Sequence, residues 1–299
     1  MRTSRVLLSL LAATAVVVPV YAAEIWAVDN LGANNVPGLI GDRVIKFDSA
    51  NPLGTVTTIG ATNVVGRNMS GLDFSGAGVL YAASGFGSAF PGSELFTIST
   101  VDGSATLVGS LGLPGGTAVT DLSWNPVTGK MQALTSAGGG GAQSIYEVAL
   151  NNGAATLVGQ ITGLPAGALL IGMSTDSAGV NYVHNIADDR MYKLTGLAAA
   201  AMSAGIGIDT NFSQGMVMDW RASDEWYLGS ISANPVLASQ VRLMDNTTGG
   251  TTSILATWPN NGTNGLPQYE TADLAIVPEP GSLCLLSLAA LGLAAARRR

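Results

Sequence analysis

Four kinds of short β-rich run recur about every 50 residues between Glu24 and Val277. Gly, Asn, Asp and Pro turns separate them, and no segment keeps a 3.6-residue apolar period for long. These observations predict an all-β chain, and the period is that of a four-stranded propeller blade. A β-sandwich or solenoid is the competing use of the same strands.

The first strand type carries two apolar positions separated by one residue. It appears as Gly71–Ser75, Asp121–Asn125, Gly172–Asp176, Gly215–Asp219 and Asp273–Ile276, with leading apolar residues spaced by 50, 51, 43 and 58. A second strand follows as Val79–Ala82, Lys130–Leu134, Val180–Val183 and Glu225–Leu228. A third follows as Glu94–Ile98, Ser144–Val148, Arg190–Leu194 and Gln240–Met244. The fourth is clearest in the near-identical Gly103–Gly109 and Gly153–Gly159, with a looser version at Thr251–Leu255.

The ends explain each other. Glu24–Val28 reads as a second strand lacking a first, followed by Arg43–Phe47 and Thr55–Ile59, while Ala272–Val277 is a first strand with no successors. One blade built from both termini gives five blades, closes the ring and hides two sheet edges. The propeller is expected over residues 23–277. Helix is expected only at Leu197–Ala204, on Ala content alone. Trp26, Trp124, Trp220 and Trp226 lie on or beside strands and are expected in inter-blade packing. Trp258, next to the turn-rich Pro259–Gly262, is the better candidate for a sugar-stacking platform.

Charge excludes one class of partner. Five of the 13 basic residues sit at the two ends and only Glu279 of the 20 acids sits in the tail, so the body holds eight cations against 19 anions. Such a surface repels phosphate backbones and speaks against nucleic acid. The single cysteine, Cys284, lies in an apolar tail run, so the body has neither a disulfide nor a thiolate nucleophile.

Catalytic and metal signatures are missing from the sequence. His184 is the only histidine and reads as a hydrogen-bonded strand residue; neither Gly-x-Ser-x-Gly nor His-Glu-x-x-His occurs. Ala137–Ala142 lacks the Lys-Ser/Thr of a P-loop and reads as a flexible loop. The pairs Asp188-Asp189 and Asp224-Glu225 could offer oxygen ligands to Ca²⁺ but read as solvated turn acids. Asp73, Asp121, Asp219 and Asp273 recur in the first strand type in different registers, a scatter that speaks against a ring of channel carboxylates. The expectation is no catalytic residue, no metal site and no cofactor.

Residues 1–22 read as a signal peptide. Arg2 and Arg5 precede an apolar run from Val6 to Val20, and Val20-Tyr21-Ala22 offers small residues for cleavage after Ala22, with Ala23 the alternative. At the other end, Val277-Pro278-Glu279-Pro280 precedes an apolar run over 281–296 and then Arg297-Arg298-Arg299. Sixteen residues make a helix of about 24 Å, slightly short for a roughly 30 Å hydrocarbon core. The arginines would stay cytoplasmic.

This three-part tail resembles the PEP-CTERM sorting signal of Gram-negative bacteria. The resemblance implies that Pro278, Glu279 and Pro280 are the recognition motif and that an exosortase processes the chain, anchored in the inner membrane by its C-terminal helix, for export to the cell surface or matrix. It also implies exopolysaccharide-producing, biofilm-forming bacteria. The body loosely resembles secreted propeller proteins of unknown function through its Ala-Thr-Leu-Val-Gly repeats. A non-enzymatic propeller binding polysaccharide or envelope partners is therefore expected. The alternative is a glycan hydrolase or lyase using Asp188, Asp189 or Asp224, which needs two carboxyls facing one cleft.

Overall fold

The computed structural model describes residues 22–30, 40–85, 92–137, 141–207, 214–221, 224–232, 238–260 and 268–277. Within them, 20 strands form five four-stranded antiparallel sheets. Blade 1 contains β1 (Glu24–Asp29), β2 (Arg43–Asp48) and β3 (Thr57–Ala61), with the single-turn α1 (Pro52–Thr55) before β3. Blade 2 is β4 (Met69–Phe74), β5 (Leu80–Ser84), β6 (Glu94–Ile98) and β7 (Ala105–Ser110). Blade 3 is β8 (Thr117–Asn125), β9 (Lys130–Ala137), β10 (Gln143–Val148) and β11 (Ala155–Gln160). Blade 4 is β12 (Leu170–Thr175), β13 (Asn181–Asn185), β14 (Arg190–Thr195) and β15 (Ala198–Gly205). Blade 5 is β16 (Gln214–Asp219), β17 (Glu225–Ser232), β18 (Ala238–Met244) and β19 (Thr251–Trp258).

Blade 1 takes its innermost strand, β20 (Thr271–Ile276), from the other end of the chain, in the order β20-β1-β2-β3. Ile25 pairs with Ile276 and Val28 with Asp273. The five inner strands β4, β8, β12, β16 and β20 each touch the next, so the ring closes as the two orphan end strands predict.

The hydrophobic core is divided among the seams between blades. One cluster fills each: Leu72 and Phe74 between blades 1 and 2, Leu122 and Tyr146 between 2 and 3, and Met173 and Tyr192 between 3 and 4. Met216 and Trp226 lie between 4 and 5, and Trp258 and Leu274 between 5 and 1. Inner strands are sandwiched on both faces and outer strands only partly, so β7 and β11 leave Leu107 and Leu157 more than half exposed.

The repeated Ala-Thr-Leu-Val-Gly now has a physical cause. In β7 and β11 the Val is a bulge that lies between paired residues. The following Gly109 lets the next blade's hairpin turn approach: a Cβ there would meet the Asn152 carbonyl oxygen at 2.1 Å. Gly60 admits the Asp102 carbonyl in the same way. Backbone bonds Ala105 N to Thr62 O and Ala155 N to Leu111 O, both 3.0 Å, lock the blades at the rim.

Two expectations need correction. Ala198–Gly205 is a strand, not a helix: it pairs with β14, Tyr192 facing Ala201, and Ala199 N donates to Thr162 O of blade 3 at 2.8 Å. Tertiary pairing overrides alanine's helix preference. Trp258 is no exposed platform. It is 1% exposed, edge-on to Phe47 and Tyr269 at 5.6 and 5.0 Å between ring centroids.

Strand direction divides the turns between two faces of the ring. Inner strands end on the face that carries the Asn125–Lys130 and Asp176–Asn181 turns, and β1 starts there too. This is the exit face, because residues 22 and 277 both lie on it. The opposite, loop face carries the β3–β4, β13–β14 and β19–β20 connections.

Candidate functional site

The acids singled out from sequence do not form a catalytic pair. Asp188 and Asp189 lie on the loop face, between β13 and β14, while Asp224 lies on the exit face, so they cannot share a cleft. None is merely solvated. Asp188 accepts from Asn185 Nδ2 and Tyr192 Oη at 2.7 and 2.6 Å. Asp224 accepts from Ser177 N and Oγ at 2.8 and 2.9 Å, clasping blade 5 to blade 4. His184 is fully buried and neither ring nitrogen has a hydrogen-bond partner. Asp189 Oδ1 is 3.8 Å from Nε2, too far for one. Burial lowers the imidazole pKa despite that carboxylate, and no serine hydroxyl engages it, so a Ser-His-Asp triad is not built.

Carboxyls do converge at the ring's centre. Aligning the inner strands on Leu72, Leu122, Met173, Met216 and Leu274 puts Asp121 and Asp273 one residue before the reference and Asp73 one after. A two-residue offset keeps all three on one strand face, which corrects the reading of their registers as scatter. Asp73 Oδ2 accepts from Trp124 N of blade 3 at 2.6 Å, and Asp121 Oδ2 accepts from Met173 N of blade 4 at 2.5 Å. Each also accepts from the following residue's N–H, as Asp273 does from Leu274 at 2.8 Å. These carboxyls satisfy the free N–H edge that an inner strand turns toward the channel.

Asp273 Oδ2 makes no hydrogen bond of good geometry, although the Leu72 N–H of blade 2 faces this carboxyl. It meets the Asp121 carboxyl, and a proton held on Asp121 supplies a donor. Burial above all pushes both well above the ordinary range, with Asp273 raising Asp121 further and Asp73 raising Asp273. Burial raises Asp73 to about 7 as well. A second acidic group closes the loop face: Asp42 and Glu270, both raised to about 7 mainly by burial, lie near Asp29. Arg43 Nε donates to Asp29 Oδ2 at 2.7 Å and Arg43 Nη2 to Gln268 O at 2.6 Å, tying β2 to the segment that leads into β20. Among the described residues, no three His, Cys, Asp or Glu side chains converge as a metal centre.

An open cleft lies on the exit face between blades 3 and 4. Its volume is about 350 Å³, within the range of small-ligand sites. Asn125, Gln132, Asn181, Lys193, Thr195 and Leu197 line it. The amides are fixed by their own network: Asn181 Nδ2 donates to Gln132 Oε1 at 3.0 Å, and Thr175 Oγ1 to Asn181 Oδ1 at 2.7 Å. Lys193 Nζ stands 5.4 Å from the centre of the Tyr182 ring. The lining offers amides and a hydroxyl, with no carboxylate, and Lys193 at its rim turns its ammonium over Tyr182. The lining can bind hydroxyl-rich molecules but has no group that would activate water.

Both chain ends leave this face side by side. Ala23 N donates to Ser49 Oγ and accepts Ser49 N at its carbonyl, both 2.9 Å, and Val277 N donates to Glu24 O at 3.4 Å. Ala22 is half-buried at this edge. The expected motif Pro278, Glu279 and Pro280, the apolar run 281–296 and Arg297, Arg298 and Arg299 lie outside the described residues.

Residues 277–299 match the PEP-CTERM protein-sorting motif. The motif implies an exported protein, anchored in a membrane until an exosortase processes it. No curated protein matches the chain. Among solved structures, the chain is similar to the periplasmic gluconolactonase PpgL of Pseudomonas aeruginosa, at 12% identity over 86% of each chain with a TM-score of 0.45. It is similar to TolB from Acinetobacter baumannii at 14% identity, over 86% of this chain and 67% of that one, TM-score 0.47. A nidogen/laminin complex gives 9% identity over 86% and 98%, TM-score 0.49. The first carries an enzyme's name and the other two do not, and at these identities none decides what this chain does.

Sequence reasoning missed the cleft, since its lining comes from separate turns and strands of two blades. It also missed the inter-blade carboxyls, although their signal, Asp at odd offsets from one apolar position, was present.

Proposed function

We propose that this is an exosortase-processed surface or extracellular-matrix protein of a Gram-negative bacterium, whose propeller binds polysaccharide without chemistry. The PEP-CTERM motif at residues 277–299 carries this reading. The protein is divided into a signal peptide over 1–22, the propeller over 23–277 and the sorting segment over 278–299. Cleavage after Ala22 leaves the new amino group of Ala23 bonded to Ser49, whereas cleavage after Ala23 discards both Ser49 bonds. Pro278, Glu279 and Pro280 present the motif one residue beyond Val277, and the 281–296 helix with Arg297, Arg298 and Arg299 holds the precursor in the inner membrane.

The cleft between blades 3 and 4 is the binding site in this reading, favoured by its fixed amides and its lack of carboxylates. It shares the exit face with both chain ends, so the precursor turns it toward the membrane and processing frees it for exopolysaccharide in the biofilm matrix. The test is retention of the processed protein on the producing strain's own exopolysaccharide. Lys193→Ala, at an exposed position of the cleft rim, is expected to weaken retention at least several-fold with the melting temperature unchanged. Equal retention by the two proteins, or no retention of the wild type, contradicts the site.

A further inference from the structure

The seam between blades 4 and 5 holds five of the protein's nine methionines: Met191, Met202, Met216, Met218 and Met244. His184 lies on the same face of blade 4. It pairs across the sheet with Met191 on one side and Gly172 on the other, and directly opposed residues have Cβ atoms about 4.5–5.5 Å apart. Gly172 has no side chain, and Met216 of blade 5 fills the space. A Cβ on Gly172 would meet Met216 Sδ at 3.4 Å and His184 Cβ at 3.5 Å. Met202 continues the row, since a Cβ on Gly249 would lie 2.9 Å from Met191 Cβ and 3.1 Å from Met202 Sδ.

We propose that His184, Met191 and Met216, with Met202 at the rim, form a soft-metal site for a monovalent Cu(I) ion. Thioethers and imidazole are the donor set that selects Cu(I) over hard oxygen-seeking cations. The independent observation is the imidazole itself. It is 0% exposed and neither nitrogen makes a hydrogen bond, Asp189 Oδ1 standing 3.8 Å from Nε2, an arrangement that ordinarily leaves a donor and an acceptor unsatisfied at a cost of about 1–3 kcal/mol each. A metal on one nitrogen removes half of that defect.

Charge points to the same ion. The Asp188 and Asp189 carboxylates act on the imidazole, and the Arg242 guanidinium acts on Asp189 in turn. Two negative charges against one positive leave one to balance, which suits a single positive charge. Asp189, 16% exposed at its side chain, and Met202, 8% exposed, mark the way in from the loop face. Binding forms coordinate bonds only, with no change of oxidation state. The site is separate from the cleft on the exit face.

The test is titration of the full chain with Cu(I) in the presence of a competing chelator, in a Cys284→Ser background so that the tail thiol does not compete. One equivalent is expected to bind, moving the methyl NMR signals of Met191 and Met216 but not those of Met69 or Met131. Met191→Leu with Met216→Leu keeps the seam's volume, so the fold survives, and is expected to weaken Cu(I) binding at least tenfold. His184→Gln is expected to do the same. Absence of binding in the wild type, or undiminished binding in the folded double variant, overturns the proposal.

Discussion

The ring is joined in two chemically different ways. Between blades 1 and 2, 2 and 3, and 3 and 4, an inner-strand carboxyl crosses to the next blade: Asp273 toward Leu72, Asp73 to Trp124 N, Asp121 to Met173 N. Between blades 4 and 5, the positions before and after the reference are Gly172 and Ser174, and Met216 packs where a carboxyl could have stood. Backbone geometry is common to both kinds of seam. The first kind is directional and carries protons; the second is apolar, held by polarisable side chains that adapt to an irregular gap. A five-fold ring therefore does not need five equivalent joints.

The largest effect is expected from removing the strand that makes blade 1 composite. A chain ending at Gln268 loses β20, the inner strand of blade 1, and with it Leu274 and Ile276 of the seam to blade 5. It should fail to unfold cooperatively, whereas a chain ending at Val277 should melt like the full-length protein. Circular dichroism melts compare them, and equal midpoints would rule out closure by the two ends.

Next, single substitutions should separate the two kinds of seam. Asp73→Ala leaves the Trp124 and Phe74 N–H groups unpaired in a buried joint and should cost about 1–3 kcal/mol. Met218→Leu in the apolar seam should cost under about 1.5 kcal/mol, because the swap nearly conserves volume. Denaturant midpoints read both, and a Met218 effect as large as that of Asp73 would erase the distinction.

The smallest effect is pH dependence, and it belongs to the carboxyl seams. Asp42, Asp73 and Glu270, at about 7, and the Asp121–Asp273 pair, raised well above the ordinary carboxylate range, hold protons in the folded state that the unfolded chain releases near pH 4. Stability from these groups is full below their unfolded pKa and is lost as pH rises through the folded values. His184, lowered by burial, works the other way below about 6.5 but is one group against five. The melting temperature should be several degrees higher at pH 5 than at pH 8. Asp73→Asn should shrink that difference, and Met218→Leu should leave it intact.

Much of the fold was legible because propeller blades are local: adjacent strands in sequence pair in space, and turns punctuate them at a steady interval. Even the composite blade could be read, since Glu24–Val28 and Ala272–Val277 each lacked a partner. What escaped was non-local. Ala198–Gly205 is a strand only because Tyr192 and Thr162 hold its backbone. Trp258 looks exposed beside Pro259 and is buried by Phe47 and Tyr269. The carboxyls looked out of register because each was compared with one apolar position rather than with a strand face. The cleft needs turns 72 residues apart, from Asn125 to Leu197.

Intact-mass spectrometry of the exported protein is the most direct test of the account. It predicts a mature chain that begins at Ala23 and ends within residues 277–280, two termini that leave the same edge of blade 1. An exported chain that still carries residues 281–299, or one whose mass does not change when the exosortase is deleted, would contradict it.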